Sequence, residues 1–275
     1  MPVKFTKMHG LGNDFVLIDA VKQNIKVTPR LAKRLANRNL GIGCDQVLVL
    51  EPPSTKNVDF DYRIFNADGT EVEQCGNGAR CLGRYIFDQR LSGKRSLLLK
   101  TKNRVMEIQS KPQKLISVNM LAPIFEPTKI PFQAERPETV YSLEADEIHL
   151  VSVLSMGNPH AVIQVADINT APVKEVGQRL QKHQRFPESV NVGFMQIIDR
   201  QRIKLRVFER GVGETQACGS GACAAAVAAI QQELVDHRIS VELQGGELTI
   251  EWGGDSQPVL MTGPAVTVFH GQIKL

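Results

Sequence analysis

Ala217-Cys218-Gly219-Ser220-Gly221-Ala222-Cys223, continuing as Ala224 to Ile230, is the stretch from which the fold can be read. Nine consecutive apolar residues, Ala222 to Ile230, are mostly alanine. A helix that is small and apolar on every face has no solvent side, so it is predicted to run inside a domain with other structure packed all round it. A cysteine and a Gly-Ser-Gly turn stand at its N-terminus, where backbone N–H groups and the positive end of the helix dipole gather. An anion or a thiolate is stabilised at such a place, and the thiol pKa is expected to fall from about 8.5 toward neutrality.

The same device occurs once more, as Gln74-Cys75-Gly76-Asn77-Gly78-Ala79-Arg80-Cys81 leading into Leu82 to Gln89. Other positions align in the same order. Gly12-Asn13-Asp14-Phe15 matches Gly157-Asn158-Pro159-His160, Gln46 matches Asn191, and Asn66 matches Glu209. Asn13 lies 62 residues before Cys75 and Asn158 lies 60 before Cys218, while Asn66 and Glu209 each lie 9 before their cysteine. The chain therefore reads as two copies of one domain, each aiming a Cys-Gly-x-Gly helix end and a set of amide or carboxylate side chains at a common cleft.

Between these landmarks, strands outnumber helices. Val3 to His9, Phe15 to Asp19, Val47 to Leu50 and Asp59 to Phe65 read as strands of the first copy, with a helix opened by Thr28-Pro29. Ser96 to Lys100, Val105 to Ile108 and Leu115 to Met120 follow its cysteine helix. Pro123, Pro127, Pro131 and Pro137 mark a linker or extended crossover. The second copy shows Ile148 to Leu154, Ala161 to Val165, a helix over Val173 to His183, a strand opened by Asn191, and Ile203 to Phe208. Ile239 to Leu243, Glu247 to Glu251 and Val259 to Thr262 finish it, and Val266 to Leu275 is left as a strand able to return to the first domain. The expected class is α+β, with a largely antiparallel sheet round one central helix in each domain. The expected domains are residues 1–119 plus 265–275 and residues 120–264.

Composition narrows the function. A chain of 275 residues suits two domains of ordinary size. Its 33 basic and 29 acidic residues are scattered, giving a net charge of +4 that calls for no nucleic-acid partner. No apolar run is long enough to span a bilayer, and a cytoplasmic protein is expected. Five cysteines, an odd number, argue against a disulfide framework. Metal binding is the next reading. On a helix, however, steps of five and six residues turn a side chain by roughly 140° and roughly 240°, so neither Cys218 and Cys223 nor Cys75 and Cys81 chelate from one face. No metal and no cofactor are expected.

Cys81 and Cys223, inside their helices, read as small core residues. Cys75 and Cys218 precede the helices in glycine-rich turns, where packing gives a buried thiol no reason to recur. Gly219 to Ala224 also fits G-x-G-x-x-A, but that fingerprint needs a strand directly before its first glycine, whereas the preceding strand is predicted to end near Phe208. Asn13, Asn66 and Asn158 are each ordinary turn residues when taken singly, and a repeated set when taken together. His160 is either a surface imidazole or a group tuning the thiols, and Glu209 and Arg210 are either a surface pair or part of the site.

Together, Gly-Asn-Asp-Phe, Gly-Cys-Asp-Gln, Phe-Asn-Ala-Asp-Gly-Thr-Glu, Gln-Cys-Gly-Asn-Gly-Ala-Arg-Cys, Gly-Asn-Pro-His, Glu-Arg-Gly-Val-Gly-Glu-Thr and Ala-Cys-Gly-Ser-Gly-Ala resemble the diaminopimelate epimerase family over essentially the whole chain. The resemblance implies a cofactor-independent isomerase that interconverts LL- and meso-2,6-diaminopimelate for lysine and peptidoglycan precursors. It implies two pseudo-symmetric domains, each a mixed, barrel-like sheet around a central helix, paired into a homodimer. It makes Cys75 and Cys218 the catalytic acid/base pair and has His160 and Glu209 influence their ionisation. It assigns substrate contacts to Asn13, Gln46, Asn66, Gly76, Asn77, Asn158, Asn191, Glu209, Arg210, Gly219 and Ser220. The chain departs from the family pattern at Cys44, in the Gly-x-Asp-Gln turn, and at Phe269, where a tyrosine is associated with dimer contacts.

The chemistry of the residues agrees with that implication. Inverting a carbon next to a carboxylate removes its proton from one face and returns one from the other, which two opposed cysteines can do. Helix N-termini suit the charge that develops on the carboxylate. Arg210 is the natural partner of a second carboxylate, with the asparagines for an ammonium. A racemase of another amino acid and a thiol redox protein using Cys75 and Cys218 as a reversible disulfide are the competing readings. An assay on LL-diaminopimelate separates all three.

Overall fold

The chain forms two compact units, Met1–Asn119 with Thr262–Leu275, and Met120–Met261. The structure is a computed structural model that describes residues 2–72 and 75–274; Met1, Gln74 and Leu275, which the readings above include, lie outside the described residues.

In the first unit, β1 (Val3–Gly10) pairs antiparallel with β2 (Asn13–Asp19), and β2 runs parallel to β3 (Gln46–Glu51). β3 is antiparallel to β4 (Phe60–Asn66), which pairs with the short β5 (Glu71–Val72) and runs parallel to β6 (Ser96–Lys100). β7 (Val105–Ser110) and β8 (Ile116–Asn119) extend the sheet antiparallel. At the other edge, β18 (Val266–Ile273) returns to pair with β1, as the unassigned final strand was expected to do.

Two helices accompany this sheet. Helix α1 (Pro29–Ala36) begins where Thr28 Oγ1 caps the Leu31 amide at 3.3 Å, with proline at its first position. Helix α2 (Gly76–Asp88) is the first cysteine helix, and it packs against β1, β2, β3, β7, β8 and β18. Val16, Ile18, Val47, Val49 and Phe65 fill the core on the α1 side of the sheet.

The second unit repeats the scheme. β9 (Tyr141–Ala145), β10 (Glu147–Ser155) and β11 (Pro159–Gln164) form antiparallel pairs, and β11 runs parallel to β12 (Asn191–Asp199). β13 (Arg202–Glu209) is antiparallel to β12 and to the short β14 (Gly213–Thr215), and parallel to β15 (Arg238–Leu243), which pairs with β16 (Gly246–Glu251). Helix α3 (Val173–Gln181) covers one face. Helix α4 (Gly219–Gln231) is the alanine-rich one, touching β10, β11, β12, β13, β15 and β16. Every residue from Ala222 to Ile230 is buried, which explains the absence of a polar stripe. β17 (Leu260–Gly263) spans the boundary between the units at Thr262.

The register repeats as well as the order. Phe15 faces Gln46 across the parallel pair of the first unit, and His160 faces Asn191 across that of the second, at the same displacement along the chain. The fold is thus mixed, antiparallel for most pairs, and pseudo-symmetric.

Three features differ from the reading of the sequence. The proline-rich segment is packed rather than loose: Ile130 and Phe132 enter the core, and Phe132 lies 4.8 Å from both Tyr141 and Phe186, ring centre to ring centre. β9 beyond it, and the two- and three-residue strands β5 and β14, are too short or too polar to alternate visibly. β11 begins at Pro159 rather than Ala161, which an edge of the strand tolerates. Among the described residues no helix is long and apolar enough to cross a membrane.

Candidate active site

In the first unit, Cys75 is the N-cap of α2, and its Sγ accepts from the Gly78 amide at 3.4 Å. Gly78 packs closely under β3, since a Cβ there would lie 3.0 Å from Leu48 Cδ2. The sulfur also contacts Asn13 Oδ1 at 3.8 Å. Gly12, with φ at 89°, turns the chain into Asn13, and Gly157, with φ at 92°, does the same before Asn158.

The orientation of the Asn13 amide is settled by its neighbours. Its Nδ2 donates to Asp45 Oδ2 at 2.9 Å, and its Oδ1 accepts from Asn77 Nδ2 at 3.3 Å. Asn77 Oδ1 in turn accepts from Nη2 of Arg80 at 2.8 Å, and Arg80 is completely buried. Behind Asp45 stands Asp14. Burial would raise its carboxyl, but hydrogen bonds from Arg38 and Lys7 prevail and hold it at about 2. On the adjoining strands Gln46 Nε2 donates to Asn66 Oδ1 at 2.9 Å, and Asn66 Nδ2 donates to Thr70 at 3.2 Å. Gln46 Oε1 is buried and has no hydrogen-bond partner among the described residues.

In the second unit Cys218 occupies the N-cap of α4, 4% exposed. Its Sγ donates to Glu209 Oε2 at 3.1 Å and lies 3.7 Å from the Ser220 hydroxyl. The other oxygen of Glu209 accepts a short hydrogen bond from Thr215. Gly221 leaves room for the thiol, since a Cβ would meet Val207 Cγ2 at 3.0 Å and Cys218 Sγ at 3.2 Å. Asn191 Oδ1 accepts from the Arg210 amide at 2.9 Å, and Arg210 Nη1 donates to the Glu188 carbonyl at 3.0 Å. His160 Nε2 is 3.1 Å from Asn158 Oδ1. The imidazole is 1% exposed; burial first and the Arg210 charge second push its pKa down to about 3, so it is neutral.

The expected lowering of the thiol pKa by the helix end is not what governs Cys218. Burial, then the charge of Glu209 and its hydrogen bond, push that thiol well above its ordinary range, against the smaller pull of the Gly221 amide and Ser220. The N-terminal dipole is a fractional charge, whereas Glu209 is a full one in direct contact.

The expected site residues thus gather in two sets. Asn13, Gln46, Asn66, Cys75, Gly76 and Asn77 belong to the first unit, with Gly76 as the first residue of α2. Asn158, His160, Asn191, Glu209, Arg210, Cys218, Gly219 and Ser220 belong to the second, with Gly219 as the first residue of α4. Of the two residues expected to influence thiol ionisation, Glu209 touches Cys218, and the hydrogen bond of His160 goes to Asn158 instead. Asp45, Arg80 and Thr215 escaped the sequence reading, although each sits inside or beside a quoted motif. Among the described residues no three His, Cys, Asp or Glu side chains are grouped as a metal site.

Comparison with known proteins gives the family of the chain. The family model for diaminopimelate epimerase matches residues 5–125 and 152–268. The chain is similar to the diaminopimelate epimerase of Stutzerimonas stutzeri (strain A1501), 54% identical over 277 residues, with 100% of both chains covered. It is 55% identical over 276 residues to that of Pseudomonas fluorescens (strain Pf0-1), again with 100% of both covered. Among solved structures, a phenazine biosynthesis protein of the PhzF family from Bacillus anthracis superposes with a TM-score of 0.75 at 17% identity, covering 100% of each chain. A hydroxyproline epimerase from Agrobacterium vitis gives 0.69 at 12% identity, covering 99% of this chain and 92% of that one. At those identities the likeness shows the fold alone.

Proposed function

The chain belongs to the diaminopimelate epimerase family, and from that premise we propose that it interconverts LL- and meso-2,6-diaminopimelate, with Cys75 and Cys218 as its acid/base pair. The observation that carries the reading is the placement of these two cysteines. Each is the N-cap of the central helix of its unit, and each sulfur contacts a polar side chain from the adjoining loop or strand.

The reaction requires one group to take the α-proton and another to deliver a proton to the opposite face. In the proposed mechanism one sulfur enters as thiolate and the other as thiol, and the two exchange states with each turnover. Glu209, hydrogen-bonded to Cys218, accepts its proton when that thiol must ionise and returns it when it must not. His160, being neutral, acts through its hydrogen bond with Asn158 and not through charge. The backbone amides at the start of α2 and α4, from Gly76, Asn77, Gly219 and Ser220, face the carboxylate as negative charge spreads onto it.

A substrate with a second amino-acid end needs more partners. Arg210 takes the distal carboxylate. Gln46 Oε1 accepts a hydrogen bond from an ammonium; a buried acceptor without a partner costs about 1–3 kcal/mol until a donor arrives, so substrate relieves it. The reading needs no cofactor. It makes the protein a cytoplasmic homodimer supplying lysine and peptidoglycan precursors, and the exposed Val266, Val268 and Phe269 of β18 support self-association, which sedimentation velocity tests.

The test is a coupled dehydrogenase assay, or polarimetry, on LL-diaminopimelate with dialysed, chelator-treated protein. Turnover is expected, with Cys75→Ala and Cys218→Ala each abolishing inversion. In deuterated water, early product should carry deuterium at the inverted carbon while recovered substrate carries little. Equal early labelling of both would refute the two-thiol assignment.

A further inference from the structure

We propose that Thr215 is a positioning residue for this reaction: its hydroxyl holds the Glu209 carboxylate so that the second carboxylate oxygen faces the Cys218 thiol. The inference rests on the two-cysteine reading and adds to it a residue outside the sets named above.

The geometry comes from the β13–β14 hairpin. Glu209 faces Gly213 and Val207 faces Thr215, so Thr215 lies diagonal to Glu209 on the same face of the sheet. Gly213, with no side chain, leaves the space between them open. The Thr215 hydroxyl donates to Glu209 Oε1, and Cys218 Sγ donates to Oε2. The carboxylate therefore bridges two residues only three apart in the chain, and it fixes the segment that delivers the thiol to the N-terminus of α4. A carboxylate's terminal torsion is broad, and one oxygen alone would not set its direction.

The first unit supplies an internal comparison. Ile64 faces Val72 there as Val207 faces Thr215 here, at the same displacement that relates Cys75 to Cys218 and Asn66 to Glu209. Valine and threonine share shape and β-branching, so the strand needs either one. The hydroxyl is present in the unit where this position is Glu209, and it is missing in the unit where the matching residue is Asn66, held by Gln46 and Thr70. The hydroxyl thus serves Glu209 and not the strand. The polar groups facing Cys218 are Glu209 from β13, with Ser220 and the Gly221 amide from α4; His160 on β11 is neutral, and Arg210 follows Glu209 in the chain.

The experiment compares Thr215→Val, which installs the residue of the first unit, with Thr215→Ser, which keeps the hydroxyl. Iodoacetamide alkylation of Cys218 is followed against pH by peptide mapping, without substrate, and kcat and KM are measured alongside. With valine, the carboxylate swings away from the thiol. The alkylation midpoint of Cys218 should then fall, and kcat should drop about tenfold with KM within about twofold of the parent. Serine should restore both, and the melting temperature of each variant should stay close to the parent's. An unmoved or raised midpoint in Thr215→Val, or a serine variant that behaves like valine, overturns the proposal. If Thr215→Val fails to fold, Thr215→Ala makes the same comparison with serine. Because alkylation needs no substrate, an inactive parent enzyme would overturn the epimerase reading without deciding this one.

Discussion

Cys218 Sγ lies 3.1 Å from Glu209 Oε2, a buried thiol set directly against a carboxylate. Burial and the negative neighbour favour the protonated sulfur, so without substrate this side of the proposed pair holds its proton. Cys75 Sγ contacts the amide oxygen of Asn13 at 3.8 Å.

Glu209→Gln should separate charge from shape. Removing the carboxylate takes away the anion that raises the Cys218 pKa, so alkylation of Cys218 should begin at lower pH. Epimerisation should fall by about 10²-fold or more, since the proton has no acceptor beside the sulfur. Activity near the parent's would show that Glu209 plays no part in proton transfer.

Gly221→Ala tests the space reserved for the thiol. Alanine gains about 1 kcal/mol of helix propensity over glycine. Its Cβ would lie 3.2 Å from Cys218 Sγ and 3.0 Å from Val207 Cγ2, so the sulfur has to move. The expected result is a melting temperature close to the parent's with most activity lost. Full activity would mean that the sulfur position tolerates displacement.

His160→Phe exchanges the imidazole for the residue that occupies the matching register position, Phe15. The folded imidazole has its pKa lowered from 6.5 to about 3. Between these values the unfolded chain binds the proton and the native protein does not. The stability from this group is therefore fully present above the unfolded value and is lost as pH falls toward the folded one. Melting temperatures from about pH 7 down to about pH 4.5 should decline less steeply in the variant, and activity should be lost with the Asn158 contact. Equal slopes in the two proteins would contradict the buried, neutral imidazole.

Asp45→Ala should loosen Asn13. Asp45 is 45% exposed and its pair with Arg38 is a surface one, which is worth about 0–1 kcal/mol. The Asn13 amide nevertheless depends on it for orientation. We expect kcat/KM to fall about tenfold while the melting temperature changes little, because the lost group positions a contact and supports no core. Steady-state kinetics with a thermal melt would decide it, and a large loss of stability at unchanged kcat/KM would make Asp45 purely structural.

The sequence alone determined the architecture and singled out the cysteines and amide side chains of the proposed site, because a repeated helix and its matched spacings are local signals. An alanine-rich helix with no polar side has to be central, and a Cys-Gly-x-Gly turn recurring with Asn, Gln or Glu at matched spacings has to be a duplicated framework. Long strands and capped helices declared themselves by alternation and by pairs such as Thr28-Pro29. β5 and β14 did not, since two or three residues cannot show a period and exist as strands only by pairing with β4 and β13. The tertiary structure decided the rest. The direction of the Cys218 pKa shift depends on how deeply the sulfur is buried and on a carboxylate brought beside it by a hairpin, and neither is visible from a helix terminus in sequence. The neutrality of His160 likewise follows from burial on every side. The support that Asp45, Arg80 and Thr215 give to Asn13, Asn77 and Glu209 consists of contacts between side chains, whose hydrogen-bond direction only three-dimensional neighbours can fix.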